Sequence, residues 1–350
     1  MTDTAPIRPE EEFDHVTVSD YLVGHLPELF ASDVVSFDQF PGGAANLTYR
    51  AYCRDGTEYV LRRAPLGDVT AGGHDMAREY QVLSRLWREF PLAPRAFHYC
   101  ADPYIMGKPF FVIERRRGNV VRRSWPSSLE NDLQKQENVA VSLVDALADL
   151  HAVDPGSVDL STLGRPDGFV ERQIAGWTRR WHAAATRPVP EMDAVSELLG
   201  RHDWRSQRVA ILHNDYKLDN TMVGDDGALV AVFDWDMATL GDPLVDLGTL
   251  LAYWAQPGDP TYRVFGANAV AIGDVMPKSA VRQRYAIRSG LDLQDIGFYE
   301  SLALFRIAVI IEQIYARYVA GQTSDPRFAE FESLAPLLAS AAIEMLARNG

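Results

Sequence analysis

The most informative segment of the chain is His213-Asn214-Asp215-Tyr216-Lys217-Leu218-Asp219-Asn220. The apolar run 229–233 and then Asp234-Trp235-Asp236 follow it. Glycine and aspartate at positions 224–227 predict a hairpin between the two parts. A histidine, an aspartate, an asparagine and a strand-terminal aspartate occur here in the H-x-D-x-x-x-x-N order of a loop that catalyses phosphoryl transfer. The pattern therefore predicts a phosphoryl-transfer site built from one loop and one strand end.

Each polar residue of this pattern has a chemical task. Asp215 accepts the proton of an incoming hydroxyl group, while Asn220 and Asp234 supply oxygen ligands to a Mg²⁺ ion that holds nucleotide phosphates. Lys217 is a second catalytic candidate, because its cation can neutralise charge on the transferring phosphoryl group; the alternative is a solvated lysine. Separate turns also favour Asp and Asn, but they have no reason to reproduce this spacing. The sequence therefore predicts ATP and Mg²⁺ as cofactors.

Composition and charge restrict the class of protein. The chain has 350 residues, of which 47% are hydrophobic and 23% charged, as in an average globular protein of two domains. A formal net charge of −14 disfavours binding to a nucleic-acid backbone. The acidic first dozen residues do not resemble a signal peptide, and charges interrupt the apolar stretch 301–320. We expect a cytoplasmic protein without a membrane or nucleic-acid partner, and the sequence leaves the oligomeric state open.

The first third of the chain predicts a small β-rich unit. Alternating or apolar runs predict five strands, and a helical pattern follows the third of them at 75–90. The strands are expected at 34–40, 47–52, 58–63, 96–100 and 109–114. Cys53 and Cys100 lie at the ends of predicted strands and are interpreted as core thiols rather than reactive or metal-binding ones.

The chain beyond residue 120 predicts a mainly helical unit. Long periodic segments indicate helices, and one β-rich segment at 209–234 interrupts them. The helices are expected at 133–151, 168–184, 298–319 and 328–346. The expected organisation is an N-terminal segment (1–33), a nucleotide-binding N-lobe (34–114), a hinge (115–119) and a catalytic, acceptor-binding C-lobe (120–350).

From about Val34 onward the sequence resembles the aminoglycoside phosphotransferase family, which includes choline, homoserine and fructosamine kinases. The run from Phe233 to Leu247 is similar to the branch related to the kinase domain of animal acyl-CoA dehydrogenases. The resemblance implies an α+β, bilobal, protein-kinase-like fold with a five-stranded antiparallel sheet plus helix in the N-lobe and the active site in the cleft. The family usually has glycine where this chain has Asn214. Because asparagine tolerates left-handed backbone, we expect the loop to keep its conformation.

The same template assigns nucleotide contacts in the N-lobe. Small residues between the first two strands, among them Gly42, Gly43 and Asn46, let backbone N–H groups approach the phosphates of ATP; alone, they predict only a turn. Arg62 lies where protein kinases have the phosphate-contacting lysine.

A helix glutamate is expected to pair with Arg62, and Glu79 is the candidate. The alternative is an exposed strand arginine and a solvated glutamate. Glu114 ends the last strand at the hinge, where main chain usually contacts adenine.

Several other residues near these motifs are not assigned to the catalytic set. Asp236 either supports a second metal or lies outside the metal site, and Asp219 is a further carboxylate near the loop. His151 is interpreted as a structural helix-end histidine. Asp242 and Asp246 are expected to cap the helix that begins near Pro243 and to brace the catalytic loop. The tryptophans line an acceptor pocket or form core: Trp177, Trp181 and Trp254.

The acceptor is not readable from sequence. The resembling branch implies a hydroxyacyl-CoA, whose phosphates need arginines; the available ones are Arg179, Arg180, Arg282, Arg284 and Arg288, unless they are solvated. The acidic chain equally permits an aminoglycoside, an amino alcohol or a sugar. A function of another class, a nucleotide-binding pseudokinase that regulates a protein partner, would be favoured by loss of the base or a metal ligand.

Overall fold

The computed structural model describes residues 3–31, 34–41, 46–66, 75–254, 256–259, 262–265, 270, 272–323 and 325–349. The chain divides into two compact units. Unit 1 comprises residues 1–117, 158–160 and 231–238, and unit 2 comprises residues 118–157, 161–230 and 239–350. Residues 231–238, which the sequence analysis placed in the C-lobe, thus belong to unit 1 because their contacts are with that unit.

Unit 1 contains a five-stranded antiparallel sheet in the order β1-β2-β3-β5-β4. The strands are β1 (Val34–Gln39), β2 (Leu47–Cys53), β3 (Glu58–Arg63), β4 (Ala96–Cys100) and β5 (Phe110–Glu114). A tight turn joins β2 to β3, and Gly56 takes φ 88° there, a conformation that glycine adopts without steric cost. The five predicted strands and the antiparallel sheet are confirmed, and with them the predicted fold class.

Helix α2 (Met76–Leu86) follows the sheet's third strand, as predicted, although it ends four residues earlier than the expected 75–90. Asp75 caps its first turn by accepting a hydrogen bond from the Arg78 N–H. Apolar residues at helical spacing form its buried face, and Glu79 lies on that face too. A carboxylate is thereby placed inside unit 1, where it requires a cationic partner.

The N-terminal segment adds a helix that the sequence analysis did not predict, α1 (His15–His25). Asp14 caps it by accepting from the Val16 and Thr17 N–H groups, and Val18 and Leu22, four residues apart, pack into the core beneath the sheet. An aspartate followed by apolar residues at this spacing was a readable signal. A short helix, α3 (Pro103–Met106), lies between β4 and β5.

Unit 2 is mainly helical, as predicted. Its helices are α4 (Leu133–Ala152), α5 (Phe169–Ala184), α6 (Pro190–Arg201), α7 (Leu244–Tyr253), α8 (Tyr262–Phe265), α9 (Lys278–Ser289), α10 (Ile296–Val319) and α11 (Phe331–Asn349). Two small sheets interrupt them: β6 (Ala210–Leu212) pairs with β9 (Thr239–Gly241), and β7 (Thr221–Val223) pairs with β8 (Leu229–Val232). The last two residues of β8, Ala231 and Val232, are grouped with unit 1. Among the described helices, none is long and apolar enough to cross a membrane.

Helices α7 and α10 of unit 2 pack closely against each other. A Cβ atom on Gly248 of α7 would lie 2.5 Å from the carbonyl group of Tyr299 on α10, so only glycine permits this close approach. The contact fixes α7 and α10 against each other in the buried part of the unit. These helices carry the residues that hold the predicted catalytic loop, as described next.

Candidate active site

The predicted catalytic loop begins at the end of β6, a strand whose three residues are all buried. The Asp246 carboxylate, fully buried in the first turn of α7, accepts hydrogen bonds from two consecutive backbone N–H groups of this loop. Its Oδ2 is 2.6 Å from the His213 nitrogen, and its Oδ1 is 2.8 Å from the Asn214 nitrogen. The expectation that Asp246 braces the loop is thereby confirmed. Asp242 accepts from the Leu244 N–H at 2.9 Å, but Pro243 occupies the N-cap position of α7 and no side chain caps it, so the expected capping by Asp242 and Asp246 is not what the structure shows.

His151, at the end of α4, is fully buried beside this brace. Its Nδ1 lies 2.7 Å from the Tyr285 hydroxyl, and its Nε2 lies 3.4 Å from Asp246 Oδ2. These two contacts connect α4, α7 and α9. The predicted structural role of His151 is confirmed, because its two ring nitrogens contact protein groups in the core.

Asn214 adopts the left-handed conformation that the sequence analysis anticipated, with φ 67°. Arg306 of α10 donates to it twice: Nη1 is 2.8 Å from the side-chain Oδ1, and Nη2 is 2.5 Å from the main-chain oxygen. Both residues are buried. The loop therefore accommodates asparagine where the family usually has glycine. Arg306, which lies 92 positions away in the sequence, contacts this asparagine.

Three of the predicted site residues meet at the Asp215 carboxylate. Lys217 Nζ lies 2.7 Å from Asp215 Oδ2, and Asn220 Nδ2 lies 3.0 Å from the same oxygen and 2.9 Å from the Asp215 carbonyl oxygen. Asp215 and Lys217 keep 23% and 22% of their side chains exposed, so a ligand can reach them. Because the Asn220 amide nitrogen faces Asp215, its amide oxygen is the atom left to bind a metal.

Lys217 also contacts an aromatic residue that the sequence analysis did not select. Its Nζ lies 5.0 Å from the centre of the Tyr253 ring, at the end of α7. Burial opposes the charged form of Lys217, but the neighbouring Asp215 and Tyr253 outweigh this effect and raise the pKa of the lysine. Lys217 therefore carries a positive charge at neutral pH. No local pattern identifies Tyr253, because only the fold brings it to the loop.

In unit 1, Arg62 contacts two carboxylates. Its Nε lies 2.8 Å from Glu79 Oε2, and its Nη2 lies 2.5 Å from Asp234 Oδ1. Burial opposes the charge on Arg62, yet the two carboxylates raise its pKa above the usual value. Burial raises the pKa of Glu79 to about 7, the Asp234 and Asp236 charges add to this effect, and Arg62 opposes it. The predicted Arg62–Glu79 pair is thus present, and Asp234, with φ 69°, joins it.

The structure describes the other nucleotide-binding candidates only in part. Gly42 and Gly43 lie outside the described residues, and Asn46 is buried just before β2. The Glu114 carboxylate accepts from the Arg95 N–H at 3.0 Å and lies 2.8 Å from Arg116 Nε. The roles of these four residues in nucleotide binding stay predictions.

Mg²⁺ prefers oxygen donors in proteins, and the two predicted metal ligands carry them. Among the described residues, no group of three His, Cys, Asp or Glu side chains could hold a metal ion. Asn220 and Asp234 offer one amide and one carboxylate, both with oxygen donors. Mg²⁺ is commonly bound by one or two such groups, with substrate phosphates and water completing its shell. Asn220 in unit 2 and Asp234 in unit 1 therefore each present an oxygen donor of the kind that Mg²⁺ prefers.

The arginines considered for a CoA-bearing acceptor are mostly paired. Arg282 lies 2.7 Å from Glu300, Arg284 lies 2.6 Å from Asp145, and Arg288 lies 2.7 Å from Asp149. Arg179 and Arg180 are exposed, and the Arg180 guanidinium stacks 4.4 Å from the centre of the Trp177 ring. A phosphate would have to displace a carboxylate at the first three, but not at Arg180.

The three tryptophans are core residues, with 5%, 2% and 1% of Trp177, Trp181 and Trp254 exposed. Each indole N–H also donates a hydrogen bond within the unit. Trp177 additionally lines a small pocket in unit 2 together with Tyr299 and Arg306. The core interpretation therefore holds for all three, and Trp177 also borders a small pocket.

Comparison with known proteins gives a consistent assignment. The chain is 31% identical over 346 residues to acyl-CoA dehydrogenase family member 11 of Rattus norvegicus, covering 96% of this chain and 44% of that protein. It is 27% identical to family member 10 of Mus musculus, covering all of this chain and 33% of that protein. The chain thus spans less than half the length of these relatives.

Solved structures show the same fold. A proposed aminoglycoside phosphotransferase from Ralstonia eutropha matches with a TM-score of 0.80 and 28% identity, over 96% of this chain and 99% of that one. Choline kinase from Cryptosporidium parvum matches with a TM-score of 0.63 and 10% identity, over 96% of each chain. The sequence model of the phosphotransferase enzyme family, APH, matches residues 36–278. Since that match covers more than half of the sequence, this chain belongs to the APH phosphotransferases, enzymes that phosphorylate hydroxyl groups of small molecules.

Proposed function

We propose that this chain is an ATP- and Mg²⁺-dependent kinase whose acceptor is the hydroxyl group of a hydroxyacyl-CoA. The observation that carries the proposal is the Asp215 carboxylate with Lys217 at 2.7 Å and Asn220 at 3.0 Å. A partly exposed carboxylate can accept the acceptor's proton, while the adjacent cation offsets charge on the phosphoryl group. A chance cluster of surface residues has no reason to combine these groups at one accessible oxygen.

The nucleotide is assigned to the residues around Arg62. Its guanidinium would bind the α- and β-phosphates, and Glu79 orients it by accepting from Nε at 2.8 Å. Asp234, which contacts the other end of the same guanidinium, would share Mg²⁺ with Asn220. When bound, the metal would neutralise phosphate charge during transfer. The backbone at Gly42, Gly43 and Asn46 and the hinge at Glu114 are proposed to contact phosphates and adenine, respectively.

During transfer, the acceptor hydroxyl would donate a hydrogen bond to Asp215 and lose its proton to that carboxylate as the new P–O bond forms. The bond between the γ-phosphorus of ATP and the β–γ bridging oxygen would break at the same time, and ADP would leave with that oxygen. The ammonium group of Lys217 would at the same time lie beside the transferring group. Asn220 donates to Asp215 through its amide nitrogen, so it fixes the carboxylate in addition to offering its oxygen to the metal. Asp215 and Lys217 act in the transfer itself, and Asn220 supports it.

The choice of acceptor is supported by the relatives named acyl-CoA dehydrogenase family members 10 and 11. Within unit 2, Arg179 and Arg180 are the exposed candidates for the CoA phosphates, because Arg282, Arg284 and Arg288 already pair with carboxylates. An aminoglycoside, amino alcohol or sugar acceptor is the second candidate. The structural match to a proposed aminoglycoside phosphotransferase and the net charge of −14, which attracts polycations, favour it.

An acceptor screen distinguishes these possibilities. The purified chain is incubated with Mg²⁺-ATP and hydroxyacyl-CoAs, aminoglycosides, amino alcohols or sugars, and phosphorylated products are detected by mass spectrometry. The proposal expects a phosphorylated hydroxyacyl-CoA that the Asp215→Asn variant does not form at a comparable rate. Phosphorylation of an aminoglycoside, amino alcohol or sugar instead would overturn the acceptor assignment. Nucleotide binding without any transfer would favour the pseudokinase hypothesis. A cytoplasmic location and the lack of a nucleic-acid or membrane partner stay predictions.

A further inference from the structure

We infer that Arg306, near the middle of α10, is a positioning residue for phosphoryl transfer, because it holds Asn214 in the left-handed conformation directly before Asp215. The inference rests on the proposed role of Asp215 as the base. It assigns Arg306 no contact with the nucleotide or the acceptor. Its proposed effect is transmitted through one residue of the catalytic loop.

Arg306 makes two hydrogen bonds to a single residue, Asn214. Two different nitrogens of the Arg306 guanidinium donate to Asn214, one to the side-chain oxygen at 2.8 Å and one to the main-chain oxygen at 2.5 Å. The planar guanidinium can make both bonds at once only if the two oxygens lie on the same side of the residue. Both partners are 7% exposed, so water competes little for these bonds. The pair therefore restrains the backbone and the side chain of Asn214 together.

The group that Arg306 restrains is the peptide unit that leads into Asp215, the proposed base. The Asn214 carbonyl is part of the peptide unit whose N–H is that of Asp215. Fixing the direction of that carbonyl also fixes the direction in which the chain enters Asp215. A rotation of this peptide unit would move the Asp215 carboxylate away from Lys217 and Asn220, which contact it at 2.7 and 3.0 Å. Arg306 can therefore control the orientation of the base without touching a substrate.

The identity of residue 214 explains why these two hydrogen bonds are needed. Left-handed backbone is costly for residues other than glycine, and asparagine is only one of the more tolerant exceptions. Asn214 has φ 67° and needs partners that favour this conformation over the extended or right-handed one. Glycine at the same position would not need them. The two hydrogen bonds from Arg306 stabilise the left-handed backbone of Asn214, which the loop conformation requires at this residue.

Arg306 is itself well anchored. Its guanidinium carbon lies 5.4 Å from the centre of the Trp177 ring of α5, and its helix packs against α7 at Gly248. A purely structural role would be to connect α10 to the loop and to α5. That role predicts a loss of stability when Arg306 is removed. It does not predict that a change at residue 214 restores catalysis.

The test is a suppression experiment. Arg306→Ala, Asn214→Gly and the double variant are compared with wild type, and Arg317→Ala is the control, since Arg317 is an exposed arginine of the same helix. We expect Arg306→Ala to lower kcat for phosphoryl transfer about 10- to 100-fold with less than a threefold change in KM for ATP. Glycine at 214 should restore at least about tenfold of this loss, because glycine occupies left-handed backbone unaided. Arg306→Lys, which keeps the charge but not the fork, should lie between wild type and Arg306→Ala.

A second measurement does not depend on an acceptor. Urea unfolding is measured for wild type, Arg306→Ala, Asn214→Gly and the double variant. Arg306→Ala should lower the urea midpoint less when residue 214 is glycine than when it is asparagine. Equal losses in both backgrounds would overturn the inference, and so would a double variant no faster than Arg306→Ala. If wild type transfers phosphate to no acceptor, the proposed function fails. The unfolding comparison then still decides whether Arg306 holds Asn214.

Discussion

The brace formed by Asp246 permits a quantitative prediction for Asp246→Asn. In the structure each carboxylate oxygen accepts one backbone N–H, from His213 at 2.6 Å and from Asn214 at 2.8 Å. An asparagine side chain of the same size has only one oxygen to offer. Its amide group would face the second N–H, so one buried donor would lose its acceptor and meet another donor.

The expected cost follows from these two bonds. A hydrogen bond to a charged group contributes about 1.5–3 kcal/mol, and a buried donor left without a partner costs about 1–3 kcal/mol. The amide is cheaper to bury than the carboxylate, which offsets part of the loss. We expect a decrease of roughly 2–4 kcal/mol in the free energy of unfolding, a large fraction of the ~5–15 kcal/mol typical of a domain. The rate of phosphoryl transfer should fall at least about tenfold, because the loop loses one of its two fixed N–H groups.

Urea unfolding at neutral pH measures this free energy, and Asp149→Asn is the matched control. Asp149 is exposed and pairs with Arg288 at 2.7 Å, so its neutralisation should cost only about 0.2–1 kcal/mol. A free energy of unfolding for Asp246→Asn within about 0.5 kcal/mol of wild type would refute the reasoning. An equal decrease in the free energy of unfolding in both variants would show that burial does not strengthen the contribution of the Asp246 hydrogen bonds.

Four further outcomes are expected. Asp215→Asn should lower single-turnover transfer by roughly 10²–10⁴-fold while Mg²⁺-ATP binding stays near wild type; retention of more than about a third of the rate would exclude Asp215 as the base. Asp234→Ala should keep the fold but lose the Mg²⁺-dependent part of the ATP-induced rise in melting temperature, and unchanged rises with and without Mg²⁺ would contradict its role as a ligand. Burial raises the pKa of Glu79 from 4.5 to about 7, so the native state holds this proton more tightly than the unfolded one. Wild type should therefore lose stability relative to Glu79→Gln as pH rises from 4.5 to 7, and a pH-independent difference would argue against the raised pKa. Burial raises the pKa of Cys53 to about 11, so a thiol reagent at pH 8 should label it slowly until the chain unfolds; rapid labelling of the native protein would show that the thiol is accessible.

Local sequence predicted the parts of the site whose members are close in the chain. Asp215, Lys217 and Asn220 lie within six positions, and the structure brings them to one carboxylate oxygen. The pairing of Arg62 with Glu79 was predicted from the resemblance to protein kinases, in which the phosphate-contacting residue pairs with a helix glutamate. The strands at 47–52 and 58–63 were readable from alternation, since burial of one face of an antiparallel sheet imposes a period of two. The other three were readable from short apolar or strand-like runs.

Residues that reach the site from distant elements were mostly missed. Arg306 lies 92 positions from Asn214, and in the sequence it is simply one of several charges that interrupt an apolar helix. Tyr253 likewise has the character of any aromatic residue at a helix end. Side-chain pairing across such distances depends on how α7 and α10 pack, which periodicity does not encode. Asp246 was an exception only because the long run around it resembled a known family.

The distant residues complete what the local motif leaves undetermined. The φ and ψ angles of Asn214 describe the rotation of two rigid peptide planes, one before and one after its Cα atom. Asp246 fixes the plane before it, by accepting the Asn214 N–H at 2.8 Å. Arg306 fixes the plane after it, by donating to the Asn214 carbonyl oxygen at 2.5 Å. Either contact alone leaves one plane free to turn, so the direction of the Asp215 side chain is determined only when both are present. The motif thus predicts which atoms do the chemistry, while two helices outside it determine where the base points.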